Sequence, residues 1–270
     1  MPPGAGRATG AHTSRSAGIR RVVPSVLTVA VLVAFWQFYV EISGIRPQLL
    51  PSPLRVVRQG WAHRDEIGTH AAATLQVTLT GFAVSLSLAW LLAVVVDFSP
   101  WLRRAFVPLF VASQTLPIIA IAPLMVIWFG FGLLPKVLVV ALVTFFPMAI
   151  GLIEGFAAAD RDAGSLLRSM GASRGQVFRY VRLPSALPRF FTALRIGITY
   201  AVVGAVFAEY VGATEGLGIY MSLQKNSFRT DLVLAAVLVT ALLSIGLYLL
   251  TFAVERLVAP WARAGNRSAR

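Results

Sequence analysis

Six runs of mostly apolar residues follow one another along the chain, at Val22 to Ile42, Ala72 to Val96, Ala105 to Phe129, Lys136 to Ile153, Ala193 to Val211 and Leu232 to Val254. A helix needs about 20 such residues to cross the hydrocarbon core, and each run is too long for a buried strand. In lipid a helix satisfies its own backbone hydrogen bonds. The pattern therefore predicts an all-α integral membrane protein with six transmembrane helices. The first run follows Arg7, Arg15, Arg20 and Arg21 as a signal peptide would, but it is too long and lacks a small-x-small cleavage site, which favours a retained signal anchor.

The segments between the runs divide by charge. With the N-terminus inside, sixteen of the 24 basic residues fall on the cytoplasmic side, seven on the other, and Arg195 lies within a span. The positive-inside rule then places both termini in the cytoplasm. Three regions result: a basic, disordered tail over 1–21, a transmembrane unit over 22–258, and a cytoplasmic tail over 259–270. On the outer side, Pro51 and Pro53 in Leu50-Pro51-Ser52-Pro53 forbid a continuing helix. From there to about His70 a short interfacial helix is expected, with Trp61 as its aromatic anchor.

Composition sharpens this picture. The 270 residues are 57% hydrophobic and only 13% charged, with a mean hydropathy of +0.75. A soluble domain carries about 25% charged residues, so a large soluble enzyme is excluded. The net charge of +13 reads as the basic cytoplasmic edge of a membrane protein and not as a nucleic-acid footprint. The chain has no cysteine, which removes disulfides, thiolate catalysis and zinc-thiolate sites.

One polar connection, residues 155–188, carries a finer pattern. Ala163, Leu166, Leu167 and Met170 form one apolar stripe of a helix that begins at Asp160 and Asp162 and ends at Gly171. Ser173, with Gln176 three residues on, has the spacing of a capping box for a second short helix. Val177, Phe178 and Val181 form its apolar side; Arg174, Arg179 and Arg182 form its basic side. Pro184 and Pro188 are expected to stop it before the fifth span. An ordinary interfacial loop with arginines on lipid phosphates is the simpler alternative.

Gly171-Ala172-Ser173, with nine intervening residues from the glycine to Val181, and then Leu183-Pro184 resemble the cytoplasmic signature of ABC importer permease subunits. The resemblance covers nearly the whole chain beyond the tail. Leu50-Pro51-Ser52-Pro53, Leu116-Pro117, Ala122-Pro123, Trp128-Phe129-Gly130-Phe131-Gly132, Glu209-Tyr210-Val211-Gly212-Ala213, Gly216-Leu217-Gly218 and Phe228-Arg229-Thr230-Asp231 are similar to the nitrate/sulfonate/taurine branch. So are Glu255-Arg256 and Pro260-Trp261. Where that family has Glu-Ala-Ala, this chain has Ser165-Leu166-Leu167.

The resemblance implies that 155–188 is a coupling loop docking on a separate ABC ATPase subunit, which holds the ATP and Mg²⁺, while this chain binds no cofactor. It assigns Ser165, Leu166, Leu167, Gly171, Ala172, Ser173, Val177, Phe178, Val181, Leu183 and Pro184 to that loop. It further implies a bacterial inner-membrane location, an extracytoplasmic solute-binding protein and a permease homodimer. The solute would be a nitrate-, sulfonate- or taurine-like anion, or a compound like a thiamine precursor or riboflavin.

The residues themselves offer little else. No G-x-x-x-x-G-K-[ST] loop occurs, and the only lysines are Lys136 and Lys225. An intramembrane enzyme lacks H-E-x-x-H, and His12, His63 and His70 fall in the tail or the outer loop, where surface roles prevail. An ion-coupled secondary transporter needs buried carboxylates, for which Glu209 alone is a candidate. Glu209 lines the outer mouth, meets the binding protein or marks a water-exposed helix end. Arg195 is either functional or snorkels to the cytoplasmic interface. Gln114 and Thr115, beside Ser113 and before Pro117, make the third span the expected lining of a pathway, because proline frees carbonyls that a wet path can satisfy.

Overall fold

The computed structural model describes residues 14–115 and 117–260. Those residues form helices and connecting turns, with no strand among them. The helices are α1 (Ser14–Ser43), α2 (Pro53–Ala62), α3 (Arg64–Phe98), α4 (Pro100–Ser113), α5 (Ile118–Phe129) and α6 (Leu133–Ala157). They are followed by α7 (Arg161–Ser169), α8 (Arg174–Val177), α9 (Leu183–Gly212), α10 (Leu217–Asn226) and α11 (Thr230–Val258). Five stretches are long and apolar enough to cross a membrane: Val23–Ser43, Arg64–Phe98, Leu133–Ala157, Arg174–Gly212 and Thr230–Val258.

The third expected span, Ala105 to Phe129, is not one helix. It breaks between α4 and α5, and neither half reaches crossing length. Pro117 supplies no N–H and disfavours helical geometry in the residue before it. The hydroxyls of Ser113 and Thr115 turn back onto Phe110 O and Ala112 O, at 2.8 and 2.7 Å, and close off the end of α4. Two other boundaries also move. The outer helix stops at Ala62 and α3 starts at Arg64, so the second span begins eight residues before Ala72. The N-terminal helix reaches back to Ser14, so the tail expected through residue 21 is helical from there; residues 1–13 and 261–270 lie outside the described residues.

The core is the packing of α3, α6 and α9. Met148, Ala149 and Leu152 on α6 meet Ala201, Ala205 and Ile198 on α9, and Ala89, Ala93 and Val96 on α3, all essentially buried. Small residues make the approach close: a Cβ on Gly151 would lie 2.4 Å from Ala193 Cβ, and one on Gly155 2.9 Å from Ala186 Cα. Without a hydrophobic drive between helices in lipid, such contact is what holds spans together. Gly197, against Met148 and Phe82, and Gly204, against Val140, serve the same packing.

Arg195 has a partner within the bundle. It pairs with Glu255 on α11 at 3.1 Å, both side chains mostly buried. The pair neutralises two charges that would be costly to leave apart in lipid, while each side chain keeps a little of its surface exposed.

Candidate functional site

The segment from Asp160 to Pro188 starts as its sequence indicates. Asp160 caps α7, its Oδ1 accepting from Asp162 N–H at 2.9 Å and Ala163 N–H at 3.4 Å. Gly171 closes the helix at φ +86°, a left-handed conformation that suits glycine, and Ala172 N–H reaches back to Leu167 O at 3.0 Å. Ser173 and Gln176 form a reciprocal capping box: Gln176 Oε1 accepts from Ser173 N–H at 2.7 Å, and Ser173 Oγ from Gln176 N–H at 3.3 Å. Gly171-Ala172-Ser173-Arg174-Gly175 has the spacing of a nucleophile elbow, but its serine is spent on this cap in an all-helical setting.

The expected stop at Pro184 and Pro188 does not occur. Over Phe178–Arg182 the helix widens into a π-turn, and Leu183 N–H bonds Phe178 O five residues back. The widened turn sits where Pro184 has no N–H to give, and the helix continues unbroken from Arg174 to Gly212 as a 39-residue rod. Val177 is buried, Phe178 packs between Phe98 and Phe156 at 5.6 and 5.2 Å, and Arg182 donates to Asp97 at 2.6 Å. Val181, Leu183 and Pro184 are half-buried. The second half of the segment is thus part of the bundle.

The first half projects from it. Leu166 and Met170 are 62% and 75% exposed, while Ala163 and Leu167, on the same stripe, are half-buried. Ser165, with its hydroxyl on Arg161 O at 2.9 Å, lines a cleft of about 320 Å³ together with Asp97, Arg103, Arg168 and Arg182.

A furrow runs along the seam of α6 and α9. Its first part, about 360 Å³, is lined by Ser113 and Gln114 at the α4–α5 break, with Phe146 and Tyr200. Its second part, about 600 Å³, meets the first at Pro147 and Ile196 and ends at Glu154 and Arg189. There Arg189 Nη1 donates to Glu154 O at 2.9 Å and joins the two ends of the segment 155–188. Gln114 therefore lies in the furrow; Thr115 and Pro117 are exposed beside it without lining it.

Glu209 is elsewhere, and it is not a water-exposed helix end: its exposure is 0%. Its Oε2 accepts from Gly218 N–H at 2.9 Å and from Thr74 Oγ1 at 3.0 Å. Thr74 Oγ1 also accepts from Leu217 N–H at 2.8 Å, and His70 Nδ1 from Gly216 N–H at 3.0 Å. Three side chains from α3 and α9 thus satisfy the free N–H groups at the start of α10, at the far end of α3 from Asp97. Neither α10 nor this role of His70 follows from the sequence, in which the histidine reads as a surface group of the outer loop. The signal was Gly216-Leu217-Gly218, where a Cβ would lie 2.2 Å from the Glu209 carboxyl carbon at Gly216 and 2.2 Å from Val206 O at Gly218.

A sequence profile of the family described as "Binding-protein-dependent transport system inner membrane component" matches residues 85–264. The chain is 36% identical to the formylaminopyrimidine transport permease protein of Halalkalibacterium halodurans, over 86% of this chain and 93% of that one. It is 37% identical to the riboflavin transport system permease protein of Chloroflexus aurantiacus, over 87% and 88%. It is 32% identical to the taurine transport system permease protein of Escherichia coli, over 90% of each. Among solved structures, an inward-facing form of the MetNI methionine ABC transporter shares its fold at a TM-score of 0.59 with 19% identity, over 68% of this chain and 92% of that one. An amino acid ABC transporter, in a crystal structure with histidines, matches at 0.58 with 16% identity, over 74% of this chain and 95% of that one.

Proposed function

The chain belongs to the family of binding-protein-dependent transport system inner membrane components, as a multi-pass ABC importer permease subunit, and from that premise we propose how it couples ATP hydrolysis to passage of a solute. Two copies face each other so that their α6–α9 furrows close into one path. The broken pair α4–α5 supplies the sixth crossing, with both termini cytoplasmic. A separate ATPase subunit, carrying ATP and Mg²⁺, takes the exposed stripe of α7, and a solute-binding protein delivers to the opposite end.

The observation that carries this reading is the continuity of one helix. The rod Arg174–Gly212 begins in the coupling segment and forms a wall of the furrow through Arg189, Thr192, Ile196 and Tyr200. A displacement imposed at its start is delivered along its length, because a close-packed core transmits strain. Nucleotide-driven closure of two ATPases would in this way rock the two walls between inward-open and outward-open arrangements.

Two aromatic rings, an amide and a hydroxyl line the outer part of the furrow, which suits a planar heteroaromatic solute better than a sulfonate. The pyrimidine and flavin relatives therefore outrank the taurine relative as guides to cargo. Substituting Leu166→Asp together with Met170→Asp tests the docking assignment. Both side chains are exposed, so the variant is expected to insert and unfold like the parent yet lose co-purification of the ATPase. Retained ATPase and retained uptake would refute it.

A further inference from the structure

Phe228 is the one non-glycine residue with positive φ among the described residues, at +56°. It follows α10 at the position where a helix usually ends in glycine, because a Cβ is crowded in that conformation. The turn is nevertheless fully bonded: Phe228 N–H reaches Lys225 O at 3.1 Å and Arg229 N–H reaches Gln224 O at 2.9 Å. The ring gains nothing from the fold in return, being 75% exposed. Strain held by a rigid surround marks positions where the side chain serves something outside its own core.

The surround is rigid and basic. Asp231, its side chain 4% exposed, accepts from Arg55 at 3.1 Å and Arg229 at 3.5 Å, so two guanidinium groups converge on one carboxylate and leave a net positive charge. Arg229 also donates to Gln59 at 3.1 Å, and Thr230 Oγ1 to Gln48 O. These bonds tie the turn to α2 and to the connection between α1 and α2, at the end of the bundle opposite the coupling segment. Both arginine side chains remain partly exposed, at 47% and 40%, and Lys225 stands three residues before the ring.

We propose that Phe228 is the apolar anchor by which this permease engages its solute-binding protein, the ring entering a pocket that carboxylates of the partner surround. The proposal rests on the functional reading above, which places this end of the bundle outside. An exposed aromatic beside two arginines that share a single carboxylate matches an acidic protein surface, where one desolvated aromatic commonly supplies a large share of affinity and the charges set encounter rate.

The test uses the whole transporter, with its ATPase, in lipid nanodiscs, and the solute-binding protein that supports uptake through it. Phe228→Gly removes the ring and relieves the backbone together. The expected result is an unfolding midpoint equal to or above the parent's, unchanged basal ATP hydrolysis, and affinity for the binding protein lowered roughly tenfold or more. Phe228→Leu, which keeps an apolar side chain, should recover most of that loss, and the parent's affinity should fall as salt rises. Parent-like affinity in Phe228→Gly would overturn the proposal. So would parent-like affinity together with poorer membrane insertion, which would make the ring a lipid anchor. If no binding protein stimulates ATP hydrolysis by the parent, the functional reading falls and this proposal with it.

Discussion

Arg182 donates to Asp97 at 2.6 Å and so ties the widened turn Phe178–Arg182 to the end of α3. Asp97 is 7% exposed at its side chain and Arg182 36%, so the pair is sheltered on one side only. Breaking a fully buried pair costs about 3–5 kcal/mol, and exposed pairs are worth below about 1 kcal/mol. Arg182→Ala should fall between, at about 1–3 kcal/mol, and should lower the ratio of solute taken up to ATP hydrolysed. The exchange Asp97→Arg with Arg182→Asp should restore part of that ratio; a ratio unmoved by the single change would show that the pair takes no part in coupling.

The glycines differ in what they tolerate. At Gly218 a Cβ would meet Val206 O at 2.2 Å and Glu209 Cβ at 2.8 Å, with backbone on one side and a buried carboxylate on the other. Gly218→Ala should cost about 2–4 kcal/mol. At Gly171 nothing lies within 4 Å of the added carbon, and only the φ of +86° resists, so Gly171→Ala should cost about 1 kcal/mol. Thermal unfolding in detergent should rank the two variants in that order.

Thr74 serves two partners at once, Leu217 N–H and the Glu209 carboxylate. Removing its hydroxyl leaves both short of a bond inside the bundle, which costs about 1–3 kcal/mol per orphaned group. Thr74→Ala should therefore lower the unfolding midpoint by several degrees, while Thr74→Ser stays near the parent. Equal midpoints for the two would show that the hydroxyl does not carry the contact.

Much of the coupling segment was legible because its determinants are local. Asp160, Gly171, Ser173 and Gln176 act on backbone groups within five residues, and spacing alone announces them. Pro184 misled for a related reason: proline signals a stop only if the helix keeps its ordinary pitch, and the π-turn ahead of it removes the conflict. The start of α10 was illegible. Its caps, His70 and Thr74, stand more than 140 residues away in sequence, and no periodicity points from one to the other. Glu209 stood out as an ionisable group in a span, but whether such a group lines a path or satisfies a neighbouring helix depends on that distant contact.

The furrow separates these two roles. Gln114 lines it and makes no part of the core, so Gln114→Ala should change the KM or maximal rate of uptake several-fold at unchanged unfolding midpoint. Glu209→Ala should do the reverse, lowering stability by about 1–3 kcal/mol because two bonded partners, Gly218 N–H and Thr74 Oγ1, lose their shared acceptor. Uptake kinetics and thermal unfolding measured on the same two variants distinguish the assignments.

The continuity of the rod Arg174–Gly212 makes the most direct claim, that the docking segment and the wall of the path move as one body. Spin labels or fluorophores at exposed Arg179 and at Tyr200, on two copies of the chain in the assembled transporter, report the two intercopy distances as ATP is bound and hydrolysed. The account predicts that both distances change together through the cycle. A change at residue 179 with none at residue 200 would contradict it.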